Sequence, residues 1–183
     1  ATPIGRGGQG EVWSAIQRAL DREVALKVQQ RGSLVEFRAE ACTSAWLEHP
    51  NIVPVYDLTA VEQDGTTRPA LVMKRVRGTS WIERLRSDRF DEVGREREGF
   101  SLERYLELHL PRLVSVCNAV AFAHSRRILH RDLKPHQVLV GTFGEVYLLD
   151  WGLAVSLEAE APLLAAFDLP RLHTLRSATW CAG

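Results

Sequence analysis

Apolar and polar positions alternate with a period of two near the start of the chain, and a helical period takes over further on. Val24-Ala25-Leu26-Lys27-Val28 is a compact alternating strand, and residues 1–30 read as a strand, a glycine turn and a further strand pair. Leu34, Phe37, Ala41, Ala45 and Leu47 predict a helix over 34–48 with one apolar side, stopped by His49-Pro50-Asn51. Ile52 to Leu58 and Ala70 to Val76 read as two strands joined through the turn Gln63-Asp64-Gly65. From Gly78 the character changes. Residues 80–100 are rich in arginine and acid and predict a short helix followed by an exposed loop. Residues 102–125 carry an apolar stripe at helical spacing, Leu102, Leu106, Leu110, Leu113, Val116, Val120 and Ala123, in which Pro111 predicts a break or kink. Short strands follow at Val138-Leu139-Val140 and Val146 to Leu149, with Gly141 and Gly144 in the turn. Past Leu157 the pattern is irregular. A strand-rich part thus precedes a helix-rich part, an α+β organisation with its boundary near residues 76–79.

Composition sharpens this only slightly. The 183 residues are 45% hydrophobic and 25% charged, an ordinary soluble balance with enough chain for a sizeable core or two small lobes. Twenty-three basic residues offset twenty-three acidic ones, which advertises neither a nucleic-acid partner nor membrane contact within this segment. Arg84, Arg86, Arg89, Arg95 and Arg97 are interleaved with acids and read as a solvated face. Cys42, Cys117 and Cys181 lie far apart without metal-ligand spacing, which fits reduced thiols in a cytoplasmic setting. The apolar stretch Leu113 to Ala123 is too short to span a bilayer, and no signal peptide opens the chain. The first residues already belong to a glycine motif, so the start reads as trimmed.

Three groups of residues carry chemistry. Gly5-Arg6-Gly7-Gly8-Gln9-Gly10 would let backbone amides approach phosphate oxygens unobstructed. A dinucleotide-binding fold also uses such a run but opens a helix directly after it, whereas strand-like Glu11-Val12-Trp13 follows here; a plain glycine hairpin is the bland alternative. Lys27, in an apolar strand, needs an anionic partner such as nucleotide phosphates, and Glu40 one helix later could hold it as an ion pair. The third group is His130-Arg131-Asp132-Leu133-Lys134-Pro135, with Asp150-Trp151-Gly152 eighteen residues beyond Asp132. Asp132 could accept the proton of an attacking hydroxyl, Lys134 could neutralise a transferring phosphoryl group, and Asp150 offers the hard oxygen that magnesium requires. Each residue alone is more often a solvated surface group; the whole string in this order points to phosphoryl transfer.

On these motifs the chain resembles eukaryotic-type (Hanks-type) serine/threonine protein kinases, of the sort also found in bacteria, along essentially its whole length. The resemblance implies a bilobal fold, with residues 1–77 as a strand-rich lobe and 78–183 as an incomplete helical lobe. It implies ATP and Mg2+ as cofactors, a protein substrate, and autophosphorylation as a further possibility. Gly5, Gly7 and Gly10 match the phosphate-covering loop, Val12 and Ala25 the apolar lid over adenine, and Lys27 and Glu40 the lysine–glutamate pair. Met73 falls at the gatekeeper, Lys74 to Val76 at the hinge, and Leu139 at the floor beneath adenine. Asp132 matches the catalytic base, Lys134 its serine/threonine-branch partner, and Asp150 the magnesium ligand. Arg131 resembles the arginine of kinases controlled by activation-loop phosphorylation, for which Ser156, Thr174, Ser177 and Thr179 are candidate sites.

Three departures qualify the match. Gln137 stands where the family carries a metal-binding asparagine, one methylene longer, so its oxygen must fold back to reach a metal at about 2.1 Å. Trp151 replaces a phenylalanine as a larger apolar plug. The chain ends at Trp180-Cys181-Ala182-Gly183, before the substrate-positioning loop of the family, which reads as a piece of a longer product with apolar surface on 102–125 left uncovered. Gln137 and this ending leave a second reading open, a pseudokinase-like nucleotide-binding or scaffold module. A small-molecule kinase is disfavoured by the Asp132-Leu133-Lys134-Pro135 form.

Overall fold

Val24, Leu26 and Val28 project to one face of a strand and Ala25 and Lys27 to the other, and this alternation organises the first half of the molecule. The computed structural model describes residues 2–6, 10–63, 65–91, 93–157 and 180–181. It divides into two compact units, one holding the chain up to Glu48 together with Pro54–Arg75, the other His49–Val53 together with Val76–Leu157.

In the first unit, β1 (Thr2–Arg6), β2 (Gly10–Gln17), β3 (Arg22–Gln29), β4 (Val55–Gln63) and β5 (Thr66–Lys74) form an antiparallel sheet in the order β1-β2-β3-β5-β4. One face buries Ala15, Val24, Leu26, Val28, Ala70 and Val72. The other receives α1 (Leu34–Trp46), whose Phe37 and Ala41 pack with Leu71. Ser33 starts α1 with a reciprocal capping box, its hydroxyl accepting from the Val35 and Glu36 amides while Glu36 accepts from the Ser33 amide. The buried residues of α1 include Phe37, Glu40, Ala41 and Ser44, whereas Leu34 and Ala45 are exposed. The expected apolar side is therefore rotated, because Glu40 takes an inward position to meet Lys27. The strands β4 and β5 also start and end elsewhere than expected. Their polar outer ends pair as far as Gln63 with Thr66, while Ile52 leaves the strand and bridges to Leu148 in the second unit.

The second unit holds β6 (Gly78–Ser80), α2 (Trp81–Ser87), α3 (Leu102–Ser125), β7 (Ile128–Leu129), β8 (Val138–Gly141), β9 (Val146–Leu148) and β10 (Val155–Ser156). The strands form a β6-β8-β9 sheet and a β10-β7 pair. Gly78 is required for the close β6–β8 approach, since a Cβ there would lie 2.1 Å from the Val140 carbonyl oxygen. α3 runs unbroken through Pro111 where a break or kink was expected. Its C-terminal half is buried through Val116, Ala119 and Ala123, while Leu102, Leu106, Leu110 and Leu113 face solvent. A last strand, β11 (Trp180–Cys181), pairs with β2.

Candidate active site

In the first unit, strand register gathers the candidate nucleotide-binding side chains. Val12 lies directly across from Lys27, Lys27 across from Leu71, and Ala25 across from Met73. Directly opposed residues share a face, so Val12, Ala25, Lys27 and Met73 occupy the α1 side of the sheet. There the Lys27 ammonium meets the Glu40 carboxylate in an ion pair, with Lys27 14% and Glu40 3% exposed at the side chain. Gly10 cannot carry a side chain, because a Cβ would sit 2.3 Å from the Val28 carbonyl oxygen. Gly5 has room for one, its nearest neighbour being the Val12 Cβ at 3.9 Å. Gly7, with Gly8 and Gln9, lies outside the described residues. Lys74 closes β5 by donating its amide to the Pro54 carbonyl.

In the second unit a different set converges. Lys134 Nζ donates to Asp132 Oδ2 at 2.7 Å. Gln137 Nε2 donates to the same oxygen at 3.1 Å and to Asp150 Oδ2 at 2.9 Å. A carboxylate can only accept, so the nitrogen end of this amide faces the acids. The hydrogen bond from Lys134, and after it the one from Gln137, hold the Asp132 carboxyl below the usual carboxylate range. Asp132 is therefore ionised at neutral pH and only partly shielded from water. Val76 is buried at the start of this unit, and Leu139 is half-buried on β8 opposite Tyr147 and Ser80.

Local backbone geometry aims these acids. Arg131 and Asp150 adopt left-handed conformations, at φ of 64° and 58°, which non-glycine residues keep only where surrounding contacts compensate. Arg131 is tied down by its Nε, which donates to the Leu153 carbonyl at 2.7 Å. Beside them His130 is buried and locked in one tautomer. Its Nδ1 accepts from the Asp132 amide at 3.3 Å, so Nε2 carries the proton and donates to the Leu149 carbonyl at 3.0 Å. Burial pushes the His130 imidazole below its ordinary value, which suits this neutral form. Trp151 packs on the His130 ring at a centroid distance of 4.5 Å and is 1% exposed. Its indole N–H is buried without a hydrogen-bond partner among the described residues, a feature that phenylalanine would not carry.

Some supporting residues left little trace in the sequence pattern. His109, inside a helical leucine stripe, is buried and accepts at Nδ1 from Trp81 Nε1 at 3.0 Å, joining α3 to α2. Asn51 reads from sequence as a helix stop, yet its side chain donates to the Val146 carbonyl at 3.0 Å and holds the 49–53 segment against β9. A buried polar group must find a partner, but the sequence does not say which. Ser156 lies on β10, while Thr174, Ser177 and Thr179 fall outside the described residues.

No three His, Cys, Asp or Glu side chains cluster as a self-sufficient metal site among the described residues. Magnesium held jointly by one or two carboxylates and nucleotide phosphates needs no such cluster, and the Asp150 carboxylate with the Gln137 amide fits that donor set. Among the described residues no helix is long and apolar enough to cross a membrane.

A family model described as protein kinase domain matches residues 1–175. The serine/threonine-protein kinase PknD of Protochlamydia amoebophila is 36% identical over 173 residues, covering 90% of this chain and 17% of that protein. PknD of Chlamydia trachomatis is 38% identical over 164 residues, or 83% of this chain and 16% of that protein. A probable serine/threonine-protein kinase of Corynebacterium efficiens is 34% identical over 161 residues, or 85% and 22%. The chain thus spans less than a quarter of the length of these relatives.

Proposed function

This chain belongs to the protein kinase family, and on that premise we propose that it carries the nucleotide-binding and catalytic residues of a serine/threonine protein kinase, transferring the γ-phosphate of ATP to a protein hydroxyl. The observation that carries the reading is the convergence of Asp132, Lys134, Gln137 and Asp150 in one hydrogen-bonded cluster. Lys27, held by Glu40, would bind the α- and β-phosphates, the role its place in the kinase pattern implies. By the resemblance to protein kinases, Val12, Ala25 and Met73 of the first unit, and separately Val76 and Leu139 of the second, are the residues assigned to adenine. Asp150 would hold magnesium, with the Gln137 amide oxygen as a further donor once turned toward the ion, and the ion would supply positive charge to offset that of the phosphates. Asp132 orients the substrate hydroxyl and takes its proton as the hydroxyl oxygen bonds to the γ-phosphorus. The bond from that phosphorus to the β–γ bridging oxygen breaks, and ADP leaves with the electron pair. Because Asp132 is held ionised, its main contribution is orientation rather than strong basicity. Lys134 offsets charge on the transferring group. The chemistry suits a cytoplasmic setting, with Cys42 and Cys117 as free thiols.

The test is transfer from labelled ATP and magnesium to the intact protein itself and to a generic basic protein, with Asp132→Ala as control. Transfer that drops by at least a hundredfold in the control is the expected result. No transfer by a folded protein that still binds ATP would replace this reading with that of a nucleotide-binding scaffold.

A further inference from the structure

The Gln137 backbone is pinned on both sides. Its backbone N–H donates to the Lys134 carbonyl at 2.9 Å, and its own carbonyl accepts from the Leu149 N–H at 2.8 Å. The turn at Pro135–Gln137 is thereby tied to the residue before Asp150 and to the residue two beyond Asp132. From this fixed base one nitrogen reaches Oδ2 of both acids. An amide nitrogen has two hydrogens, and this one has an acid for each. Both bonds are to ionisable carboxylates, which makes them stronger than neutral pairs.

We propose that Gln137 is a positioning residue that clasps Asp132 to Asp150 through its amide N–H groups and competes with a divalent cation for those carboxylates. The inference rests on the reading of Asp150 as a metal ligand. A cation accepts electron pairs where an N–H offers hydrogen, so the two cannot use the same carboxylate lone pairs. For a cation to enter, the amide must turn its oxygen toward the acids. That orientation sets acceptor against acceptor and is tolerable only with positive charge between them. The direction of the amide and the occupancy of the metal site are therefore coupled. The extra methylene of glutamine, about 1.5 Å of reach, lets the amide span both acids from the pinned turn. An asparagine there would reach less far and leave the pair more open to the cation.

The experiment titrates Mn2+ alone, without nucleotide, into the intact protein and into Gln137→Leu and Gln137→Asn, reading free metal by electron paramagnetic resonance. Gln137→Leu gives up the amide oxygen, which a water can replace on the ion, and frees both carboxylates of their charge-assisted bonds, so Mn2+ binding is expected to tighten severalfold. Gln137→Asn, which carries the test should the leucine variant fail to fold, is expected to tighten it severalfold. In the wild-type protein the Gln137 side-chain amide resonances are expected to move on Mg2+ addition. Binding unchanged or weakened in the variants overturns the clasp, as do amide resonances that stay in place when Mg2+ binds. If wild type binds Mn2+ and the variants bind no tighter, only the clasp is lost. If neither wild type nor variants bind Mn2+, the metal-ligand reading of Asp150 fails and takes the clasp with it.

Discussion

Lys27 and Glu40 show how one buried ion pair constrains what can be substituted around it. Glu40 lies on the inner side of α1 and is nearly sealed from water, so Glu40→Ala would leave the Lys27 ammonium half-stranded in an apolar face. Removing one partner of a buried pair costs about 3 kcal/mol or more, whereas replacing both with apolar residues of similar size is often neutral. We expect Glu40→Ala to lower the unfolding free energy by about 3 kcal/mol in urea titrations, and Lys27→Met with Glu40→Leu to recover most of it. A double variant as unstable as the single one would show that the loss is of packing rather than charge. The pairing itself was legible in the sequence, because a lysine in an alternating apolar strand demands an anion. The direction of the Gln137 amide was not. Sequence names an amide without saying which groups it reaches; the pinned turn brings it to both acids, and as acceptors they take its nitrogen end.

At the scale of elements, the sheet of the first unit follows from alternation, and its strand order brings Val12, Ala25, Lys27 and Met73 to one face. The helix α1 was legible in extent but not in facing, since its buried stripe includes Glu40 and Ser44, which no hydropathy pattern selects. The same holds for α3, whose contact with α2 runs through a histidine. His109 Nδ1 accepts from Trp81 Nε1 and lies 3.1 Å from Arg112 Nη1, while Nε2 faces Asp88 Oδ2 at 3.4 Å and the Tyr105 ring packs alongside. Burial first, and then Arg112, push the His109 imidazole below its ordinary value, against an opposing pull from Asp88. The unfolded chain then binds the proton more readily than the folded one. His109 accordingly contributes stability that is present above its unfolded value near 6.5 and is lost as pH falls below it. His49 and His130 are pushed the same way by burial, so their contributions share the sign. Urea midpoints measured from pH 8 to pH 5 should therefore fall, and His109→Gln should flatten only part of that slope. A midpoint that rises toward pH 5 would contradict the assignment.

For the whole molecule, the motif string leads to Asp132, Lys134, Gln137 and Asp150, which hydrogen-bond to one another, and the change of periodicity at Gly78 lies close to the Arg75–Val76 division between the two units. The stripe on α3 shows where such reading stops: periodicity identifies an apolar face but not whether anything covers it. Leu106, Leu110 and Leu113 are 42%, 50% and 44% exposed, with Leu102 beyond them at 62%. A formal net charge of zero at pH 7 removes the long-range repulsion that would keep such faces apart. Light scattering on concentrated samples should give a negative second virial coefficient near neutral pH, and Leu106→Glu with Leu110→Lys should move it toward zero by breaking the stripe without altering net charge. A helix face that decides nothing about phosphate chemistry would then govern the colloidal behaviour of the chain, setting the concentration at which its copies remain apart.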